Sequence, residues 1–311
     1  MLSGARFSAK SRPRRAHRRR EAGVERNHRM ELQYDGTGLH GWAKQDGLLT
    51  VEGSLESAFS TVLGAAPVMR VAGRTDAGVH ARRQVVSLVL PGDTDLGRLR
   101  ASLNALTPPG VAVTRIVPAP TGFDARRDAA GRTYRYFLSN SAVVSPFWGR
   151  YCWHVPEDLD LSAMGAAAEA TAGRHDFSAF TPAETEHVFF NRRVVRCAWK
   201  PARDGLAAGL PGRRTGTKRV PGAGPRAGAG MLYLEVEAEA FLRHMVRTLV
   251  GTMVEIGLGR RDLEDFRGLL AGAPREAAGP TAPAQGLFFW DVSYRRDRAA
   301  LPQAGPATRS E

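Results

Sequence analysis

Residues 67–90 read PVMRVAGRTDAGVHARRQVVSLVL. Two apolar, β-branched runs, 67–72 and 84–90, flank a polar turn at Gly73–His80 that holds two glycines. Such runs fit a pleated, half-buried surface and predict strands. Upstream, Leu55, Ala58, Phe59, Val62 and Leu63 follow the spacing of one helix face, which predicts a helix over 52–64. Before it, 30–34 (MELQY) predicts a strand ending in the turn Asp35–Gly38. Downstream, a helix over 95–106 stops at Pro108-Pro109-Gly110. Strands follow at 111–117 and 132–138, then a helix at 160–172, a loop at His175–Phe180 and a strand at 192–200.

Along 231–238, Leu232, Leu234 and Val236 alternate with Tyr233, Glu235 and Glu237, as in a half-solvated antiparallel strand. Helices over 241–257 and 261–271 and a strand at 286–294 complete the pattern. The order is not a strict β-α-β-α, and several strand pairs look antiparallel. The expected class is α+β, with helices packed on a mixed sheet.

Charge is concentrated at two places. The chain carries 44 Lys+Arg against 31 Asp+Glu, a formal net charge of +13. Residues 1–29 hold ten basic and two acidic side chains, and 201–230 hold six and one. The other residues balance, with 28 of each sign. Residues 1–29 therefore read as a disordered basic arm and 295–311 as a disordered tail. Residues 201–230, rich in Gly, Pro and Arg, read as a flexible insertion. Between them lie an N-terminal half, 30–140, and a C-terminal half, 141–294.

Composition excludes several classes. Two cysteines, Cys152 and Cys197, give neither a disulfide framework nor a zinc cluster. No apolar run reaches the ~18 residues of a membrane span. Asp93, Asp95, Glu157, Asp158 and Asp160 sit beside proline or at helix starts, where acids cap helices, so they do not read as metal ligands. No phosphate-binding glycine loop precedes a helix.

Three features carry candidate chemistry. In Gly73–His80, Arg74 and Asp76 lie two apart and share a face on extended chain. A neighbouring guanidinium keeps a carboxylate ionised, fit to be a nucleophile, base or ligand. On residue types alone, a structural turn whose Asp binds local N–H groups is the stronger reading. In FLRHMVR, Arg243 and Arg247 lie four apart on the predicted helix, and read either as rim arginines or as cations aimed at an anion. His244 reads as a core or rim histidine. In GRTYRYFL, Tyr134 and Tyr136 share a face with Arg132 and Arg135 nearby, which suits either base stacking or core packing.

Together the motifs resemble the tRNA pseudouridine synthase A family. Ala72-Gly73-Arg74-Thr75-Asp76-Ala77-Gly78-Val79-His80-Ala81 looks like its signature in full. YDGTGLHGW (34–42), LNALTP (103–108), FDAR (123–126), RTYRY (132–136), HDFSAF (175–180), FLRHMVR (241–247) and TAPAQGL (281–287) follow in the family's order. Leu39 and Ala43 depart from the family's usual Phe and Gln, outside the chemical centre.

The resemblance implies the pseudouridine synthase fold, with two similar halves around a central cleft. It implies isomerisation of uridine to pseudouridine at positions 38, 39 and 40 of the tRNA anticodon arm, without metal or cofactor. It makes Asp76 the nucleophile, Arg247 its ion-pair partner, Arg74 the residue that flips or braces the base, and Tyr134 the ring that stacks on it. It further implies a cytoplasmic homodimer whose cleft gathers arginines such as Arg74, Arg132 and Arg247. A catalytically dead RNA-binding module is the first alternative, and the intact signature argues against it. An Asp-nucleophile hydrolase is the second, but no motif supplies its second carboxylate.

Overall fold

The computed structural model describes residues 24–185, 188–202 and 230–294. Most of the N-terminal arm and of the insertion, and the tail, lie outside the described residues. Helix α1 (Val51–Leu63) starts at Thr50, whose side chain accepts from the Gly53 N–H, and ends at Gly64 in the left-handed region. It buries Val51, Leu55, Ala58 and Phe59, while Val62 and Leu63 lie at its exposed end. Burying Phe59 or Leu55 stabilises the fold by about 2 kcal/mol each. Asp95 caps α2 (Leu96–Leu106), Asp160 caps α3 (Leu161–Ala170) and Asp262 caps α5 (Leu263–Leu270), each accepting backbone N–H bonds. The capping roles expected of Asp95 and Asp160 are thus what these side chains do.

Among the described residues ten strands form one sheet: β1 (Glu25–Tyr34), β2 (Arg70–Val71), β3 (His80–Pro91), β4 (Val111–Pro118), β5 (Ala129–Asn140), β6 (Trp153–His154), β7 (Gly173–Asp176), β8 (Asn191–Pro201), β9 (Gly230–Ala238) and β10 (Leu287–Tyr294). The order is β4-β1-β3-β10-β5-β9-β8-β7, with β2 added to β3 and β6 to β5. Only the β10–β3 and β5–β6 pairs are parallel. This is the expected α+β class with a mixed, mostly antiparallel sheet. β10, the last described strand, inserts between β3 and β5, so early and late segments of the chain meet at the middle of the sheet.

Five local expectations are corrected. β1 begins at Glu25, so residues 25–29 belong to the sheet and not to an arm. The stretch ERNHR is polar, yet β1 is paired on both sides, by β3 and β4, and His28 is buried. Ladder hydrogen bonds, which no apolar pattern reports, hold it there. The strand at 67–72 shrinks to β2. At the other flank of the insertion, β8 runs to Pro201 and Ala202 is buried, while β9 starts at Gly230.

β9 is also less solvated than its alternation suggests, because Glu235 is buried. It binds Arg135, Arg196 and Lys200, which compensate its charge. Finally, helix α4 covers Met245–Gly257, not 241–257. His244 adopts φ 60°, the only non-glycine positive φ among the described residues. A left-handed residue cannot continue a right-handed helix, so Phe241–His244 is a separate entry loop.

Candidate active site

The loop carrying Asp76 sits between β2 and β3 and is clamped by the YDGTGLHGW segment. The Trp42 N–H donates to Thr75 O at 3.0 Å, and the Gly78 N–H donates to Leu39 O at 3.1 Å. The backbones approach so closely that a Cβ on Gly36 would stand 2.2 Å from Val79 O, and one on Gly41 2.7 Å from Thr75 O. Only glycine allows such contact. Beneath the loop, Tyr34 Oη lies 2.8 Å from Thr75 Oγ1, and Gln84 Nε2 donates to Tyr34 Oη and to Gly73 O. Burial pushes the Tyr34 phenol up to about 12, so it remains a neutral hydrogen-bonding group.

His80, which closes the loop, is a structural residue. Its Nδ1 accepts the Gly36 N–H at 2.9 Å, and its Nε2 donates to Gln285 O at 3.1 Å. That pattern needs the neutral ring. Burial, which lowers its proton affinity, favours the same form against the pull of Asp35. The ring stacks on Phe288 at 4.5 Å.

Asp76 is about one-third exposed and receives two basic groups from the other end of the chain. Arg247 Nη1 lies 3.6 Å from Oδ2, and His244 Nε2 lies 3.4 Å from the same oxygen. Arg247 is locked in place: its Nε donates to Ala282 O at 2.7 Å, and the Ala282 N–H donates to Arg247 O at 3.1 Å. The TAPAQGL segment thus orients the guanidinium toward Asp76. The pairing expected for Arg247 is present, and it needs no helix face shared with Arg243, which lies outside α4.

Tyr134, on β5, is nearly buried, with Phe241 and Phe289 edge-on to its ring at 4.9 Å and 5.3 Å. Burial, with the nearby Asp76 charge adding to it, raises its phenol far above the ordinary range. Tyr136 shares its face but is a core residue, donating to Pro283 O at 2.9 Å. Arg74 is exposed and has no ion pair or hydrogen bond among the described residues.

Two other arginines do not present their charge to the cleft. Arg132 spends its guanidinium on the carbonyls of Ala72, Arg126 and Glu239, so it braces the loop rather than presenting charge to the cleft. Arg135 points to the opposite face of the sheet. There it is sandwiched between Tyr233 and Trp290 and bound to Glu235, away from Tyr134. Alternation along a strand dictates this, since residues 134 and 135 must face opposite sides.

His244 is the site residue that sequence reasoning missed. Extending the helix back to 241 turned it away from Asp76, whereas the left-handed turn brings it alongside. The site can therefore present a carboxylate approached by a guanidinium and an imidazole, next to a buried aromatic platform.

A family model described as tRNA pseudouridine synthase matches residues 167–295, the part that contains His244 and Arg247. The chain is 38% identical to the tRNA pseudouridine synthase A of Syntrophotalea carbinolica, over 86% of this chain and 95% of that protein. It is 37% identical to that of Myxococcus xanthus, over 91% and 97%, and 37% identical to that of Bifidobacterium animalis subsp. lactis, over 86% and 93%. The chain belongs to the tRNA pseudouridine synthase A family.

Proposed function

We propose that the protein converts uridine to pseudouridine at positions 38, 39 and 40 of the tRNA anticodon arm, with Asp76 as the nucleophile. The observation that carries this reading is the pairing of the Asp76 carboxylate with Arg247, beside the ring of Tyr134. In the reaction the C1′–N1 bond breaks, the uracil turns, and C1′ bonds to C5. The hydrogen leaves C5 and a proton joins N1, so no atom is gained or lost. A base inside a helix is out of reach of Asp76, so the nucleotide must first leave its stack. Arg74, exposed and without an ion pair or hydrogen bond among the described residues, fills or braces the space left behind. Tyr134 receives the flipped base on its ring. Arg247 keeps Asp76 ionised and oriented.

The N-terminal half, 30–140, supplies Asp76, and the C-terminal half, 141–294, supplies Arg247. The family resemblance supports action as a homodimer and in the cytoplasm, where tRNA is the substrate. No described helix is long and apolar enough to cross a membrane.

The test is to map pseudouridine in tRNA treated with wild type and with Asp76→Asn. Wild type should convert uridines 38–40. Asp76→Asn should bind tRNA with similar affinity and convert none. Conversion by Asp76→Asn at near wild-type rate would overturn the assignment.

A further inference from the structure

His244 combines three features that its surroundings do not otherwise explain. It alone among described non-glycine residues holds a positive φ, 60°. It stands at the N-cap of α4, yet its side chain makes no capping hydrogen bond. Its Nε2 instead lies 3.4 Å from Asp76 Oδ2, the oxygen that Arg247 also approaches. Strained backbone persists where the surrounding structure requires one particular side-chain placement, and such places cluster at functional sites. A right-handed helical residue at 244 would continue α4 backward and carry the ring elsewhere. The left-handed turn is what sets the imidazole against the carboxylate.

We propose that His244 is a positioning residue for the reaction: with Arg247 it fixes Oδ2 of Asp76, leaving Oδ1 as the oxygen that reacts. This rests on Asp76 being the nucleophile. Among the described residues neither an ion pair nor a hydrogen bond engages Oδ1. A carboxylate pinned through one oxygen by two groups from a single segment, residues 244–247, cannot rotate freely about its Cβ–Cγ bond. Its second oxygen is then presented in one direction.

The ring suits this as a neutral N–H donor. Burial and the charges of Arg247, Arg243 and Arg275 disfavour the imidazolium, against the pull of Asp76. In a neutral ring facing a carboxylate, the facing nitrogen carries the hydrogen. The 3.4 Å separation is long for an N–H···O bond, and catalytic contacts of this kind tighten when substrate binds.

The test compares His244→Gly, His244→Gln and Asp76→Asn in full-length protein, with kcat, KM for tRNA and Tm measured for each. Glycine adopts the left-handed backbone at no steric cost, so His244→Gly should fold, with a Tm no lower than wild type. Its kcat should fall about 10- to 100-fold through loss of carboxylate alignment, with KM within about threefold. Glutamine carries an N–H donor of similar reach, so His244→Gln should recover most of the lost kcat. A purely structural role for His244 would lower Tm and would not respond to Gln.

The inference is overturned if His244→Gly turns over within about threefold of wild type, or if KM rises while kcat holds. It is also overturned if His244→Gln is as slow as His244→Gly. Should His244→Gly and Asp76→Asn both stay active, the assignment of Asp76 fails first. Should only Asp76→Asn be inactive, that assignment stands and the role of His244 alone falls.

Discussion

Gly41→Ala tests whether the clamp on the Asp76 loop sets catalytic geometry. Gly41 has φ 87°, and an added Cβ would meet Thr75 O at 2.7 Å, and both Ala77 N and Asp76 C at 3.1 Å. All three atoms belong to backbone and have no flexible end to swing away. Ordinary contact begins near 3.4 Å, so the loop must retreat by about 0.7 Å. The left-handed backbone costs an alanine about 1–2 kcal/mol. Weakening the Trp42 N–H bond to Thr75 O adds about 1 kcal/mol.

The expected loss of stability is therefore about 2–3 kcal/mol, which a folded enzyme survives. Turnover should fall as well. A misplacement near 1 Å costs about 100-fold, so kcat should fall roughly 10- to 100-fold while tRNA affinity holds. Gly38→Ala is the matched control. Gly38 has φ 75° but nothing within 4 Å of its Cβ position, so it should lose stability without losing turnover. The assay is single-turnover pseudouridine formation at saturating enzyme, with urea melts for stability. Wild-type turnover in Gly41→Ala, or an equal kcat loss in Gly38→Ala, would refute the clamp.

Two further outcomes follow from the ion pairs. Arg247→Lys keeps a charge but not the planar fork that serves Asp76 and Ala282 O together, so kcat should fall about 100-fold. Binding assays should show tRNA affinity nearly unchanged, and equal losses in both would make Arg247 a phosphate anchor instead. Glu235→Ala leaves the largely buried Arg135 without its carboxylate and should destabilise by about 2–4 kcal/mol in urea melts at pH 7. Burial alone would raise the Glu235 carboxyl, but the hydrogen bonds from Lys200 and Arg135 and the charges of Arg135 and Arg196 hold it below its ordinary value. The folded value thus lies below the unfolded one. The stabilisation is full above the ordinary carboxylate value and is lost as pH falls from there through the lower folded value. The gap between wild type and Glu235→Gln should therefore narrow on acidification, and a pH-independent gap would contradict it.

How much of this the sequence discloses depends on what kind of force places each residue. Apolar periodicity placed α1, α2 and most strands, because burial is what those patterns encode. It missed residues 25–29, where the ladder to β3 and β4 holds a polar stretch. It extended α4 backward, since FLRH has helical spacing and nothing in residue types announces φ 60° at a histidine. That single backbone angle is why His244 was not legible. Helix spacing left Arg247 either a rim arginine or a cation aimed at an anion, and only the family resemblance paired it with Asp76, whereas His244 depends on a turn fixed by tertiary contact. Pairing of β10 between β3 and β5 is equally invisible locally, yet it is what brings Phe289 against Tyr134.

The balanced charge of the matched region has a structural cause that a sum conceals. Many of its arginines are spent inside the fold. Arg83 lies between Glu31 and Asp291, Arg135 serves Glu235, Arg261 serves Glu255 and Asp265, and Arg132 is bound to three carbonyls. These cations neutralise acids and brace backbone, and each acid they cancel is an acid withdrawn from the surface field. Around Asp76 the account differs. Arg74 and Arg243 are exposed, with neither ion pair nor hydrogen bond among the described residues, and Arg247 and His244 share a single carboxylate. A domain can therefore be neutral in total and positive at one cleft, provided its acids are paired elsewhere. The field that a phosphate backbone meets is set by which arginines are left unpaired and where. Neither the overall +13 nor the zero sum of the folded part measures that.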